Sequence, residues 1–229
     1  MKTIGLIGGL TWLSTLDYYR LLNQKVNEQL GGVEAAKIIL YSVNFAEIKV
    51  LTEAGDWENI STMITDVAKK LQQAGADCIL ICANTMHKIA DEVQAAITIP
   101  VIHIAEHTAD DIASKKIKKV ALLGTKYTMQ LDFYTNKLSA KGITTIIPND
   151  DDIAYINNAI YTEMSKGFFL DATKERFIQI IHQLQEQGAE AVILGCTEIP
   201  ILVKQTDVTI PLFDTTLIHV NAAVKFALQ

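Results

Sequence analysis

Between residues 60 and 71 the apolar side chains fall at Ile60, Met63, Ile64, Val67, Ala68 and Leu71. This spacing of three and four lays one stripe along a helix. Gly75 follows as a stop, in the place where a helix end favours glycine. The next stretch, 78–83, is apolar at every position, as in a strand buried on both faces. The same order returns later. Phe177, Ile180, Ile181 and Leu184 predict a second helix, Gly188 stops it, and 191–194 read as a second buried strand. Laid glycine on glycine, GADCILICANTMH (75–87) and GAEAVILGCTEIP (188–200) are offset by 113 residues. KTIGLIGG (2–9) resembles KKVALLGT (118–125) at an offset of 116, and ITIPVI (97–102) resembles VTIPLF (208–213) at 111. These are the marks of a duplication with small insertions. Strand–helix alternation in each half predicts α/β architecture with parallel sheets, helices on both faces, and a Rossmann-like or flavodoxin-like order. The expected domains are 1–98 with 212–229, and 99–211. Ligands of such sheets bind at the carboxyl ends of strands. Two sheets facing each other would aim NTM (84–86) and CTE (196–198) into one shared cleft.

Composition narrows the class. The 229 residues are 49% hydrophobic and 20% charged, with mean hydropathy +0.21. That is enough for one large core or two of about 100 residues each. A net charge of −6 and a pI near 5.4 leave no basic stripe to neutralise phosphates, which argues against nucleic-acid or membrane partners. No apolar run approaches the roughly 18 residues of a membrane span, and MKTIGLIGG reads as a strand rather than a signal peptide. Three cysteines without CxxC or zinc-ligand spacing suit a reducing cytoplasm.

Several motifs are weighed and set aside. GLIGG (5–9) is neither GxGxxG nor a Walker sequence, so a tight strand-to-helix turn is expected there. His103-Ile-Ala-Glu106-His107, just after the expected IPVI strand (99–102), has the letters of a zinc-peptidase motif but no third ligand, and a helix-starting turn is expected instead. Cys78 reads as a buried small hydrophobe, and Lys115, Lys116, Lys118 and Lys119 as a solvated loop. Cys196 stands apart. It follows the strand Ala-Val-Ile-Leu and Gly195 and precedes Thr197-Glu198, so a helix N-terminus is expected to pull its pKa below the free value of about 8.5. The aligned position in the first half is Ala83, with Cys82 one step earlier.

At these residues the chain resembles the aspartate/glutamate racemase family, the amino-acid racemases that use no pyridoxal phosphate, and most closely its aspartate racemase branch. The resemblance covers GLIGGLTWLSTLDYYRLLN (5–23), CANTMH (82–87), LLGTKYTM (122–129), GCTEIP (195–200) and PLFDTT (211–216). It implies two α/β domains related by a pseudo-two-fold with the active site in the cleft between them, no cofactor, no metal, an amino-acid substrate and a homodimer. Two thiols would face opposite sides of the substrate Cα. Cys196 matches the second thiol. Asn84, Thr85 and Thr197 match the groups that hold the α-carboxylate, and backbone donors at strand-to-helix turns suit a carboxylate as they suit phosphate. Lys166 matches a lysine that pairs with the side-chain carboxylate. Leu10, Thr11, Thr125 and Glu198 fall in the matched blocks as further substrate-binding positions. The arginine that aspartate-specific members place near 48–50 is not visible, and Lys49 is the candidate substitute.

The departure is Ala83, which occupies the position of the first thiol. Adjacent strand residues point to opposite faces, so a cleft-facing Ala83 turns Cys82 away. Three answers stay open: water or another group serves that face, a bulge brings Cys82 inward, or the alanine is an engineered replacement. The reading is an aspartate racemase, with glutamate as the alternative substrate. The other readings are a one-thiol decarboxylase of the same superfamily and a non-catalytic amino-acid binder.

Overall fold

In the computed structural model, which describes residues 1–229, each half of the sequence builds its own parallel sheet. The first half supplies β1 (Ile4–Gly8), α1 (Trp12–Leu30), β2 (Ile38–Ser42), α2 (Phe45–Ala54), α3 (Trp57–Gln73), β3 (Cys78–Ile81) and α4 (Ala90–Ala95). Its strands lie in the order β2-β1-β3. The second half supplies α5 (Ile104–Ser114), β4 (Lys119–Gly124), α6 (Lys126–Gln130), α7 (Asp132–Ser139), β5 (Thr144–Ile146), α8 (Asp150–Thr162), α9 (Asp171–Glu186), β6 (Ala191–Gly195), α10 (Ile199–Leu202) and β7 (Leu212–Asp214), with strand order β5-β4-β6-β7. A last helix, α11 (Thr215–Ala227), starts in the second unit and from His219 onward belongs to the first.

The strand registers reproduce the repeat. Ile4 pairs with Cys78 and Val120 with Ala191, which keeps the offsets of 116 and 113 residues. The Ile79 amide donates to the Pro100 carbonyl as that of Val192 does to Pro211, each at 2.9 Å. The helical stripes behave as their periodicity predicts. Ile60, Ile64, Val67, Ala68 and Leu71 of α3 are buried against Ile7, Ile79 and Ile81, while Phe177, Ile180, Ile181 and Leu184 of α9 pack on Ala121, Leu123, Val192 and Leu194. Both helices stop before a glycine at positive φ, Gly75 (97°) and Gly188 (93°). The other sheet faces bury α1 and α11 in one unit, and α5 and α7 in the other.

Two expectations are corrected. The IPVI run (99–102) is not a strand but a single bridge from Val101 to Ile79: the Ile102 carbonyl meets His219 Nε2 at 2.6 Å instead of continuing the ladder, whereas Pro211 in the equivalent place is followed by the strand β7. The expected domain breaks after residue 98 and before 212 also shift. The compact units are Met1–His103 with His219–Gln229, and Ile104–Ile218. The bonds from Ile79 N to Pro100 O and from Ile102 N to Ile79 O hold residues 99–103 to the first sheet. β7 pairs with β6, and the Thr215 hydroxyl donates to Leu194 O at 2.9 Å, so 212–218 stay with the second. No helix is long and apolar enough to cross a membrane.

Candidate active site

The second sheet gathers its chemistry where β4, β6 and β7 end. Gly124 pairs with Gly195, and Thr125 and Cys196 each follow by one residue. A side chain on Gly195 would press its Cβ to 2.8 Å from the Leu123 carbonyl, so the two strands can approach this closely only with glycine there. Thr125 caps α6 through the Thr128 amide at 3.3 Å. Cys196 is 8% exposed and lies on the face of Val192 and Leu194, the face that α9 covers. Its thiol donates to Glu198 Oε2 at 3.0 Å, and the Thr197 hydroxyl donates to the same oxygen at 2.7 Å. Glu198 is itself 2% exposed.

This arrangement reverses the expected thiolate. Burial raises the Cys196 pKa, and the charge and hydrogen bond of Glu198 raise it further. The backbone amides of Glu198 and Thr197 pull the other way and do not win. The helix expected to help is α10, a single turn that begins three residues on at Ile199, too short and too late to supply much dipole. What the site holds instead is a protonated thiol with a carboxylate on its proton.

In the first sheet the equivalent place is the end of β3. Ile79 and Ile81 face α3, and Ala83, partly exposed, continues that face. Cys78, Leu80 and Cys82 face α1 and α11. Cys82 is wholly buried, and burial pushes its thiol pKa far up. No bulge turns it inward. Its amide donates to Ile7 O at 3.0 Å in line with the ladder, and the Ala83 amide closes the strand on Ile81 O at 2.8 Å. The Cys82 carbonyl accepts from the Ser14 hydroxyl at 2.7 Å, which pins the start of α1 to the end of β3.

The remaining positions divide. Asn84 and Thr85 are buried at the head of a 3-10 turn, Thr85–Ile89. Thr11 caps α1 through the Ser14 amide at 3.1 Å, and Leu10 is a core side chain packed with Ile7 and Ile48. Gly9 makes the turn from β1 toward α1 at φ 77°, where any Cβ would strike the Val43 carbonyl. Lys166 stands exposed in the 3-10 turn Met164–Lys166, capped by Gly167. Lys49 lies on α2 and ion-pairs with Glu53 one turn on. His103 is buried with its ring 4.8 Å from that of His87, whereas Glu106 reaches Lys137 at 2.6 Å on the surface.

Two groups escaped the sequence reading. The buried His87 ring sets its Nδ1 2.9 Å from the Ala83 carbonyl, so Nδ1 carries the hydrogen and Nε2 is a bare acceptor without a partner. Thr216 lies two residues beyond Asp214, as Cys196 lies two beyond its register partner Leu194, and its buried hydroxyl has no partner. CANTMH and PLFDTT contain both residues. Only burial shows which polar atoms are left unsatisfied.

Comparison with known proteins agrees with this architecture. Residues 7–223 match the model of the Asp/Glu/Hydantoin racemase family. The structure of a candidate Asp/Glu racemase from Yersinia pestis is similar with a TM-score of 0.92, at 46% identity over 100% of both chains. An aspartate racemase homologue from Pyrococcus horikoshii gives 0.86 at 37% identity, again over 100% of both. The broad specificity amino-acid racemase RacX of Bacillus subtilis is 27% identical over 170 residues, 74% of this chain and 73% of its own.

Proposed function

This chain belongs to the Asp/Glu/Hydantoin racemase family and is an amino-acid racemase, and from that premise we propose that its substrate is aspartate, with glutamate the alternative, and that Cys196 is its proton-transfer group. The observation that carries the proposal is the buried Cys196 thiol resting on Glu198 at the end of β6. In this reading Glu198 takes the thiol proton, and the thiolate then takes the Cα proton. The substrate is left as a carbanion that donors at its carboxylate stabilise. Asn84, Thr85 and Thr197 supply those donors, aided by Leu10, Thr11 and Thr125 at the neighbouring strand ends. Lys166, exposed and without an ion-pair partner, binds the side-chain carboxylate. The reaction needs no cofactor, because the thiol and carboxylate take up the Cα proton and water supplies the proton of the opposite face. Three free cysteines suit a cytoplasmic setting, where such thiols stay reduced.

Ala83 makes the two faces of the substrate unequal. The thiol returns a proton to the face it took it from, while the opposite face depends on water. The test is Cα deuterium exchange of aspartate in heavy water. Cys196→Ser should abolish it and leave aspartate binding within about a factor of ten. Undiminished exchange removes Cys196 from the mechanism. The alanine also favours a second reading, a one-thiol decarboxylase of the same superfamily. Release of carbon dioxide from an arylmalonate, with no exchange of aspartate, would select it.

A further inference from the structure

Threonines within the helices of this chain satisfy their own hydroxyls. Thr15, Thr52, Thr62, Thr108 and Thr162 each donate to the carbonyl four residues back, at 2.7–3.0 Å. Thr216 has no such carbonyl. Asp214 Oδ1 accepts from the Leu217 amide at 3.0 Å, so Asp214 caps α11 and Thr216 is its second residue. Four residues back lies Leu212, in β7 and in register with Val192, rather than a turn of helix. Thr215 escapes the difficulty by donating to Leu194 O at 2.9 Å. The Thr216 side chain is 3% exposed and its hydroxyl is left unsatisfied.

A buried hydroxyl without a partner costs free energy that folding does not return. Its position suggests what it is for. Side chains tilt toward the N-terminus of their helix, which places this one at the carboxyl end of β7. The neighbouring strand, β6, ends at Cys196 and Glu198, and all of these residues belong to the unit Ile104–Ile218. Glu198 and Asp214 are both acids, and no residue of 195–203 or 214–218 is basic. Asp214 as the cap also offsets the positive end of the α11 dipole. These strand ends therefore suit a cation that donates hydrogen bonds better than an anion.

We propose that the Thr216 hydroxyl accepts a hydrogen bond from the α-ammonium group of the substrate. The proposal rests on the amino-acid substrate argued above, whose α-carboxylate and side chain already have partners there. It supplies the partner of the third substituent on Cα. An ammonium can only donate, and a hydroxyl with no other partner is free to accept. Glu198 and Asp214 make the potential negative where that ammonium sits. With carboxylate, side chain and ammonium all held, the Cα–H bond is the one left free to break.

Thr216→Val keeps the shape of the side chain and removes the hydroxyl. Titration calorimetry compares aspartate with succinate, the same dicarboxylate without the ammonium; glutamate and glutarate replace them should glutamate be the substrate. The valine variant should bind the amino acid at least about tenfold more weakly and the plain diacid within about twofold of the parent. Thr216→Ser, which restores a hydroxyl, should recover the lost affinity. The urea midpoint of Thr216→Val should rise, because an unpaired buried hydroxyl has gone. A fall in that midpoint overturns the proposal, since the hydroxyl would then have a structural partner. Equal losses for amino acid and diacid also overturn it and give the hydroxyl to a carboxylate. A parent that binds neither aspartate nor glutamate overturns the substrate reading and this inference with it. A parent and a valine variant that bind the amino acid equally well overturn this inference alone.

Discussion

Exchanging the side chains at 82 and 83 tests the site at its least conventional point. Ala83 continues the Ile79–Ile81 face, partly exposed at the margin of the core it packs against. Cys82 lies on the opposite face among Cys78 and Leu80, wholly buried, with its thiol held protonated by burial. Ala83→Cys should supply the missing acid/base group on one face of the substrate. General acid–base catalysis is worth about 10²–10⁴-fold, or about 3–5 kcal/mol of barrier. Inversion of aspartate should rise by that factor, while exchange with retention through Cys196 changes little. Cys82→Ala removes one buried sulfur and should cost about 1 kcal/mol of stability, with no loss of exchange. Chiral chromatography beside deuterium exchange, run from both enantiomers on the parent and the two variants, separates inversion from retention. If Ala83→Cys gains nothing while Cys82→Ala abolishes the reaction, the assignment of faces is refuted.

Glu198→Gln should lower the Cys196 pKa, because it removes a charge that raises it, yet slow Cα exchange by about 10²–10⁴-fold if the carboxylate is the proton acceptor; the pH dependence of alkylation and the exchange rate give both, and full exchange in the variant would rule out that role. Lys166→Met should weaken aspartate binding by more than about 1 kcal/mol and alanine binding little, as titration calorimetry would show, and equal losses would mean the lysine only supports the turn. His87 is buried, and burial first, then the charge of His103, depress its pKa well below the usual value. Its contribution to stability is whole above the unfolded pKa of about 6.5 and is lost as pH falls, by up to about 1.4 kcal/mol per unit. Denaturant melts from pH 7.5 to 5.0 should show that slope, and His87→Gln should flatten it; equal slopes in both proteins would assign the acid sensitivity elsewhere.

The local pattern of the chain determined a great deal. Residue spacing alone placed α3 and α9, their glycine stops, the buried strands, and a repeat whose offsets the strand registers reproduce. These features depend on neighbours within a few residues, where the period of apolar side chains follows from helix or strand geometry. The strand period also predicted that Cys82 turns from the face of Ala83. Four things waited for tertiary structure. The IPVI run (99–102) reads as a strand, but how far it joins the sheet depends on what takes the Ile102 carbonyl, here the ring of His219 from the far end of the chain. The domain breaks depend on which sheet claims 99–103 and 212–218. The electrostatics of Cys196 reversed because the sequence shows that Glu198 is near but not that its oxygen lies 3.0 Å from the sulfur in a dry site. His87 and Thr216 emerged only from burial, since a polar atom is costly or poised by what surrounds it in space. Periodicity is a property of the chain, but pairing, desolvation and unsatisfied hydrogen bonds belong to contacts between residues far apart in it.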